Sequence, residues 1–256
     1  MPRGSDYSKI KRRVDRLFLL RGQRKAMMIN VLSVENMRKS DEMTIGSGTP
    51  GRELMMRAAR GVFESVSWGK KTAIVCGSGN NAGDGYALAI CLKEAGMDCT
   101  VICVYDRFSD DGRYYYDKCA GAGIKICRWE DEGRIFDLRD YDIIVDCLLG
   151  TGFKGDVRPE LAKVIDCINS SGAYVVSIDI NSGLNGDSGM ADKCVISQLT
   201  VSVGGFKSGH FLGMAKDVIG SKVNIDIGIE PTDEPYHLIE GSDVALVLGV
   251  RKNFSN

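Results

Sequence analysis

Histidine, proline and tryptophan are scarce in this sequence, with two, five and two residues among 256. The nine cysteines form no Cys-x-x-Cys pair, and the two histidines, His210 and His237, lie far apart. This spacing argues against a zinc site and against a catalytic cysteine–histidine pair. No apolar run approaches the roughly 20 residues of a membrane-spanning helix, which argues against an integral membrane protein. Because unpaired cysteines are typical of reducing compartments, we expect a cytoplasmic protein.

The net charge is also close to zero, since the chain has 33 Lys and Arg and 34 Asp and Glu residues, but the charges are unevenly distributed. Residues 1–30 carry nine basic and two acidic side chains, so a basic segment precedes an acidic remainder. We interpret residues 1–30 as a basic N-terminal extension that is non-native or reflects an over-long start, and that activity does not need. A nucleic-acid-binding arm and a presequence are the alternatives. Residues 31–250 are predicted to form one domain.

From about residue 50 onward, segments with helical spacing of apolar residues alternate with short apolar runs that are typical of buried strands. The predicted helices are residues 53–66, 83–95, 111–122 and 158–170. The predicted strands are residues 72–77, 99–105, 124–127, 141–147, 173–180, 195–203 and 223–227. This alternation predicts an α/β fold with an open, mainly parallel sheet that is covered by helices on both faces.

Three of the predicted strands end in polar or glycine-rich turns. Residues 77–85 follow the first strand and open a helix, where backbone amides favour an anion such as phosphate. Their spacing differs from the Gly-x-Gly-x-x-Gly of dinucleotide dehydrogenases and from a P-loop, so a simple tight turn is an alternative. Asp146 and Asp179 each end an apolar strand, where a carboxylate needs a cation or hydrogen-bond donors unless it is a turn residue. Because ligands gather at the carboxyl ends of parallel strands, these segments predict an oxygen-rich crevice suited to a hard cation.

Together and in this order, the three segments resemble the YjeF N-terminal domain family, whose enzymes are NAD(P)H-hydrate epimerases. The resemblance covers about residues 31–230, and it rests on residues 80–85, 146–155 and 179–184 and on the later Thr200 with residues 207–209. Two positions depart from the family's pattern: Ala82 stands where glycine is usual, and Asn181 stands where proline is usual.

The resemblance implies a Rossmann-like three-layer α/β/α sandwich with a mainly parallel sheet, commonly a homodimer, which acts on hydrated NADH or NADPH. It implies that a potassium ion is bound by Asn81, Asp146 and Ser182. It implies that the substrate contacts Asn80, Asn81, Ala82, Gly83, Asp84, Gly150, Thr151, Gly152, Phe153, Lys154, Gly155, Asp156 and Asp179. The dehydratase domain that follows this domain in many bacterial relatives is absent from the sequence, so we expect a separate NAD(P)H-hydrate dehydratase to act on the product.

The reaction that the resemblance implies needs an acid to protonate the leaving hydroxyl and a base to activate the returning water. We take Asp179 as the candidate acid and base, with Lys154 assisting the oxygen or a phosphate and stabilising the Asp179 carboxylate. The alternative is that Asp179 and Lys154 only bind the substrate.

Two other functions are compatible with parts of the sequence. Similar domains serve as non-catalytic modules in an RNA-associated scaffold, and the basic residues 1–30 fit such a nucleotide- or RNA-binding function. The acidic remainder argues against it, because nucleic-acid binders need a positively charged surface. A conventional NAD dehydrogenase is disfavoured by the spacing of the first glycine-rich turn.

Overall fold

The computed structural model describes residues 30–131, 134–233 and 236–237 of the chain. One compact unit spans Leu32–Pro235, and a second comprises Met1–Val31 and Tyr236–Asn256. Within the second unit the described residues pair as two short antiparallel segments, Asn30 with His237 and Val31 with Tyr236. The predicted basic extension falls almost entirely outside the described residues, and the predicted domain limits 31–250 stay a prediction.

The larger unit is built on a sheet of seven parallel strands. In chain order the strands are β1 (Thr72–Cys76), β2 (Cys99–Cys103), β3 (Lys125–Arg128), β4 (Ile143–Cys147), β5 (Tyr174–Ile178), β6 (Ser197–Val203) and β7 (Ile219–Ile225). Their order across the sheet is β7-β6-β5-β4-β1-β2-β3. The predicted α/β class with a mainly parallel sheet is therefore confirmed.

Six helices flank or adjoin this sheet in the described part of the chain. They are α1 (Val34–Gly46), α2 (Gly51–Ser65), α3 (Asn80–Glu94), α4 (Asp110–Gly121), α5 (Pro159–Asn169) and the short α6 (Ala215–Val218). Ser33 caps α1 by accepting the Asn36 N–H, and Ser109 caps α4 by accepting the Gly112 N–H. None of the described helices is long and apolar enough to cross a membrane.

The core has two halves because successive strand residues point to opposite faces of a sheet. On one face, Ile74 and Cys76 of β1 pack in a cluster with residues of α2, α3 and α4. On the other face, Ala73 and Val75 pack in a cluster with residues of α5. The sheet is thus covered on both sides, which gives the three-layer arrangement expected from the resemblance.

The strand order places a topological switch point between β1 and β4. From β1 the chain adds β2 and β3 on one side, whereas β4 and the later strands lie on the other side. The loops after β1 and β4 meet closely there, because a Cβ on Gly77 would lie 2.0 Å from the Leu148 carbonyl oxygen. A crevice at such a point is the usual ligand site of this architecture.

Helix α1 is not among the predicted elements, and two element boundaries differ from the sequence prediction by three residues or more. Helix α3 begins at Asn80 rather than at Gly83, so half of the predicted glycine-rich loop forms the first turn of a helix. Strand β7 begins at Ile219 rather than at Val223. It is an edge strand with exposed positions such as Gly220 and Ser221, so its first residues lack the apolar run by which buried strands are identified.

Candidate active site

A cavity of about 510 Å³ opens at the switch point between β1 and β4. Its polar lining comes from the loops after β1, β4 and β5 and from the start of α3, and it includes Ser78, Asn80, Asn81, Asp84, Thr151 and Asp179. Its apolar lining comes from α1, α2 and the segment after β7, and it includes Val34, Met37, Leu54, Met55, Ile227 and Ile229. A concave site with apolar walls and a few convergent polar groups is typical of small-molecule binding.

Beneath the cavity, Asp146 and Ser182 form a fully buried hydrogen-bonded pair. The Ser182 hydroxyl donates to Asp146 Oδ1 at 2.5 Å, and the Ser182 N–H donates to Asp146 Oδ2 at 2.9 Å. The Ser177 hydroxyl and the Leu148 N–H also donate to this carboxylate. Burial nevertheless raises the pKa of Asp146 above its ordinary value, because the four donors only partly oppose the loss of water.

Asn81 joins this pair through the Leu149 carbonyl oxygen. Asn81 Nδ2 donates to that oxygen at 3.0 Å, and the Ser182 hydroxyl lies 3.1 Å from it. The other amide atom, Asn81 Oδ1, is buried and has no hydrogen-bond partner in the described part of the chain. A buried acceptor without a partner is costly unless something else neutralises it. Carboxylate, amide and hydroxyl oxygens are the ligands of hard cations, so Asn81, Asp146 and Ser182 fit a cation such as potassium.

Asp179 and Lys207 form a buried ion pair in the cavity wall. Lys207 Nζ lies 2.5 Å from Asp179 Oδ1, with the two side chains 1% and 15% exposed. The Thr151 N–H donates to Asp179 Oδ2 at 3.0 Å. Burial alone raises the pKa of Asp179, but the positive charge of Lys207 and these hydrogen bonds outweigh burial and hold the pKa below its ordinary value. Asp179 is therefore an ionised carboxylate in the cavity.

The backbone of Asp179 is strained, and His210 supports it. Asp179 has a φ of 68°, and it is the only non-glycine residue with a positive φ in the described part of the chain. His210 Nε2 donates to the Asp179 carbonyl oxygen at 2.8 Å, and His210 Nδ1 accepts the Lys207 N–H at 3.0 Å. Burial and the neighbouring Lys207 charge lower the pKa of His210 to about 4, so the ring is neutral and this hydrogen-bond pattern is fixed.

Two more carboxyl groups line the same cavity. Asp84 lies in the first turns of α3, and Asp41 lies on α1. Burial, followed by the negative charges of Asp179 and Asp41, raises the pKa of Asp84 well above its ordinary value. Burial and the neighbouring Glu42 raise the pKa of Asp41 as well. The cavity therefore holds one carboxylate that is kept ionised, Asp179, and two carboxyl groups that retain their protons more readily, Asp84 most strongly.

The structure brings most of the sequence-predicted site residues together at this cavity. The predicted residues that line it are Asn80, Asn81, Asp84, Gly150, Thr151, Gly152, Phe153 and Asp179. Ala82 and Gly83 are buried instead in the first turn of α3, where a Cβ on Gly83 would lie 2.6 Å from the Met55 sulfur. They position the helix against α2 rather than facing the cavity.

Lys154 does not lie where the sequence interpretation put it. Its side chain is exposed, as are Gly155 and Asp156, and it forms no ion pair with the described residues. The loop turns back at Phe153, whose N–H donates to the Gly150 carbonyl oxygen, and the chain then leaves the cavity. The expectation that Lys154 stabilises the Asp179 carboxylate is therefore wrong, because Lys207 occupies that position.

Sequence reasoning missed the roles of Lys207, His210 and the apolar wall. Lys207 belongs to the later segment that carries the resemblance, and this was the available signal for it. His210 follows three residues later and gave no signal of its own. The apolar wall contributed by α1 and α2 reads in the sequence as ordinary core, because apolar helical faces look the same whether they cover a sheet or a cavity.

The departure at Asn181 is explained by a buried polar network. Asn181 is fully buried, and the two N–H groups of its Nδ2 are shared among three acceptors within 3.0 Å: the Val195 carbonyl, the Ser197 hydroxyl and the Val218 carbonyl. Its Oδ1 accepts the Thr200 hydroxyl at 2.5 Å. These hydrogen bonds tie the loop after β5 to β6 and α6, so Asn181 anchors the segment between Asp179 and Ser182.

Known proteins are similar in sequence to this chain over most of its length. An NAD(P)H-hydrate epimerase of Lentilactobacillus buchneri is 32% identical over 214 residues, covering 79% of this chain and 96% of the relative. A bifunctional NAD(P)H-hydrate repair enzyme, Nnr, of Pyrobaculum aerophilum is 33% identical over 217 residues, covering 81% of this chain. This chain spans only 43% of the length of that bifunctional relative.

A solved structure and a protein family also match this chain. The crystal structure of the yeast protein ynu0 has the same fold, with a TM-score of 0.65 and 20% identity over 82% of this chain and all of the yeast chain. The family described as YjeF-related protein N-terminus matches residues 51–209, which include the three strand-end segments and Lys207. The chain belongs to this YjeF-related N-terminal family.

Proposed function

We propose that this protein is an NAD(P)H-hydrate epimerase, which interconverts the R and S forms of hydrated NADH or NADPH. The observation that carries the proposal is the convergence of Asp179, Lys207 and Asp84 with the Asn81–Asp146–Ser182 oxygens around one cavity. The names of the relatives support it, because two relatives that this chain covers over 96% of their own length are called NAD(P)H-hydrate epimerase.

The chemistry requires two proton transfers on opposite faces of the ring. The hydroxyl leaves the hydrated nicotinamide with help from the ring nitrogen lone pair, which produces a cationic iminium, and water then returns on the other face. A carboxyl group that bears a proton can protonate the leaving hydroxyl, and an ionised carboxylate can accept the proton of the incoming water. Pairs of carboxyl groups whose environments push their pKa values apart are suited to these two roles.

In this cavity, Asp179 fits the role of base and Asp84 fits the role of acid. Lys207 keeps the Asp179 carboxylate ionised, and the burial of Asp84 beside other carboxylates favours its protonated form. The negative charge of Asp179 also stabilises the cationic intermediate through a preorganised interaction in a partly dry site. The roles exchange when the reaction runs in the reverse direction.

A potassium ion is part of the proposal. Asn81 Oδ1, Asp146 and Ser182 would hold it, and the Asn81 oxygen without a partner supports this assignment. When bound, the ion would supply positive charge beside the buried Asp146 carboxylate and so stabilise the loops that line the cavity. Asn81, Asp146 and Ser182 meanwhile fix the loop after β4 through the Leu149 backbone, whose N–H donates to Ser182 and whose carbonyl accepts from Asn81.

The deciding experiment mixes the purified full chain with one pure hydrate epimer and follows the appearance of the other. Wild-type protein should interconvert the epimers, and Asp179→Asn should lower the rate about 100-fold or more, because general acid–base groups contribute about 10²–10⁴. Asp98→Asn is the matched control, since Asp98 is almost fully exposed and remote from the cavity lining. The proposal fails if wild type shows no interconversion, and the role of Asp179 fails if its variant keeps the wild-type rate.

Three further expectations belong with this function. The bifunctional relatives join repair activities in one chain, which supports a dehydratase acting next on the product of this protein. A reducing, cytoplasmic location is supported by the nine cysteines, all of which are free. A homodimer stays a prediction from the resemblance.

A further inference from the structure

The surface beside the cavity mouth, at the ends of β2 and β3, carries charges that the proposed reaction does not use. Asp106 and Arg107 follow β2, and Arg128 ends β3. Because the strands are parallel, these residues lie at the same carboxyl edge of the sheet as the cavity. Arg107 Nη2 donates to the Ser78 hydroxyl at 3.3 Å, and Ser78 lines the cavity. The Arg107 guanidinium therefore lies at the cavity rim.

On this surface Asp106 and Arg128 form an ion pair, whereas Arg107 forms none with any described residue. Arg128 Nη2 lies 2.8 Å from Asp106 Oδ2, so the Asp106 carboxylate already has a cationic partner. Arg107 is exposed and forms no ion pair with any described residue, and its contact is the neutral Ser78 hydroxyl. The rim thus presents one guanidinium whose charge is not balanced by a bound carboxylate. Guanidinium groups of this kind bind phosphate strongly through charge-assisted hydrogen bonds.

The direction of the cavity indicates which part of a dinucleotide would reach this rim. The reactive ring belongs near Asp179, which follows β5 on one side of the switch point. The cavity lining continues to Ser78 after β1 and to Asp111 on α4, which follows β2. A dinucleotide lying across the switch point would therefore direct its adenosine half towards the end of β2.

The residue type at the end of the second strand distinguishes the two forms of the cofactor. In doubly wound sheets an acidic residue near this place binds the ribose 2′-hydroxyl, whereas an arginine accommodates a 2′-phosphate. Here the acidic residue, Asp106, is held by Arg128, and the arginine, Arg107, faces the cavity rim. Both features favour the phosphorylated form.

We propose that Arg107 binds the 2′-phosphate of the substrate, so that this protein prefers NADPH hydrate to NADH hydrate. The inference rests on the proposed function for the identity of the substrate as a nicotinamide dinucleotide. It adds the form of that dinucleotide, and it makes Arg107 a specificity-determining residue outside the reacting centre.

Direct binding of NADP⁺ and NAD⁺ to the full chain tests the inference without catalysis, because these probes differ only in the 2′-phosphate. By calorimetry at low salt, wild type should bind NADP⁺ about 10-fold or more tightly than NAD⁺, as expected for a charge-assisted phosphate contact. Arg107→Gln should abolish this preference and leave NAD⁺ binding within about 2-fold. Arg113→Gln is the matched control, because Arg113 lies six residues further along, in the first turn of α4, and pairs with Asp117, and it should retain the preference.

Failure of the inference can be told apart from failure of the proposed function. Equal wild-type affinity for the two probes, no binding of either probe, or an equal loss for both probes in Arg107→Gln would each overturn the role of Arg107. A protein that loses its NADP⁺ preference in Arg107→Gln but does not interconvert the hydrates would overturn the epimerase function and leave the 2′-phosphate contact standing.

Discussion

At the scale of single residues, the position of Lys207 determines the state of Asp179. The pair is buried, and Lys207 Nζ also donates to the Val203 carbonyl oxygen at 2.8 Å, so two of the three N–H donors of the ammonium are engaged. The sequence interpretation gives this role to Lys154, which is the cation in the glycine-rich loop after the strand that ends at Cys147. Which lysine reaches a carboxylate depends on the path of each loop, and a linear sequence does not contain that path.

Replacing Lys207 with methionine should destabilise the protein strongly. The Asp179 carboxylate would stay buried without its cation, and removing one partner of a buried pair costs about 3–5 kcal/mol. Because the folded-state pKa of Asp179 is lowered, its contribution to stability is present above its ordinary pKa and is lost as the pH falls through the lowered value. The loss in Lys207→Met should therefore be largest at neutral pH and smaller in acid, as measured by chemical denaturation.

Lys193→Met supplies the matched control for this prediction. Lys193 Nζ lies 2.7 Å from Asp166, but the two side chains are 36% and 61% exposed. An exposed pair contributes about 1 kcal/mol or less, so this variant should unfold almost like wild type. Equal losses of stability in the two variants would show that burial adds nothing to the Lys207–Asp179 pair.

At the scale of elements, the contact between the loops after β1 and β4 builds the cavity floor. Gly77 makes this contact possible, since it lies against the Leu148 backbone with no room for a side chain. Gly85, which lies eight residues later in the second turn of α3, has a similar function, because a Cβ there would lie 2.8 Å from the Cys147 sulfur. These glycines let α3 approach the sheet closely and direct its first turn towards the cavity.

Gly77→Ala should destabilise the protein by about 1–3 kcal/mol or more, which is the usual cost of inserting a methyl group into a packed site. The reason is steric alone, because Gly77 is not among the glycines with positive φ. Thermal unfolding measures the effect. Gly79→Ala is the control for stability, since a Cβ at Gly79 meets nothing within 4 Å. If Gly77→Ala and Gly79→Ala unfold at the same temperature, close packing of the loops after β1 and β4 at Gly77 does not contribute to stability.

Most elements could be predicted from the sequence, and the exceptions have physical causes. The alternation of apolar runs with helical spacing is set by burial on one or two faces, and it identified the buried strands of the sheet. The start of α3 was placed too late because Asn80 and Asn81 read as loop residues, whereas the helix begins there without a side-chain cap. A helix start that is stabilised by tertiary contacts gives no capping signal in the sequence.

At the scale of the whole molecule, the fold gathers carboxyl groups from three separate elements. Asp41 comes from α1, Asp84 from α3 and Asp179 from the loop after β5, and Lys207 is the cation among them. Such a concentration of like charge opposes folding, and natural active sites commonly carry this kind of cost. The cost should be visible in how the stability of the protein changes with pH.

Asp84→Asn should raise the stability of the protein at neutral pH. Because the folded-state pKa of Asp84 lies well above its ordinary value, its favourable contribution is present at low pH and is lost as the pH rises through the folded value. The amide has no proton to lose and stays neutral, so Asp84→Asn should melt about 2–4 °C above wild type at neutral pH and close to it in acid. Asp98→Asn, at an exposed site, should show no such difference.

Thermal unfolding of wild type, Asp84→Asn and Asp98→Asn, measured from acid to neutral pH, tests this prediction. A wild-type protein that is as stable as Asp84→Asn at neutral pH would mean that Asp84 is solvated well enough to ionise freely. In that case Asp84 would not hold the proton that the proposed acid requires, and the acid would have to be sought elsewhere in the cavity.

The amino-acid sequence alone is sufficient to predict the α/β class, the parallel sheet and the strand ends at which the site lies. It could do so because apolar periodicity and glycine-rich turns are local consequences of burial and backbone geometry, and because the segments around Asn81, Asp146 and Asp179 keep a recognisable order. Only the tertiary structure decided that Lys207 rather than Lys154 pairs with Asp179, that His210 supports both, and that α1 and α2 close the cavity. These relations join residues far apart in the chain, and they depend on distances and burial that only packing creates.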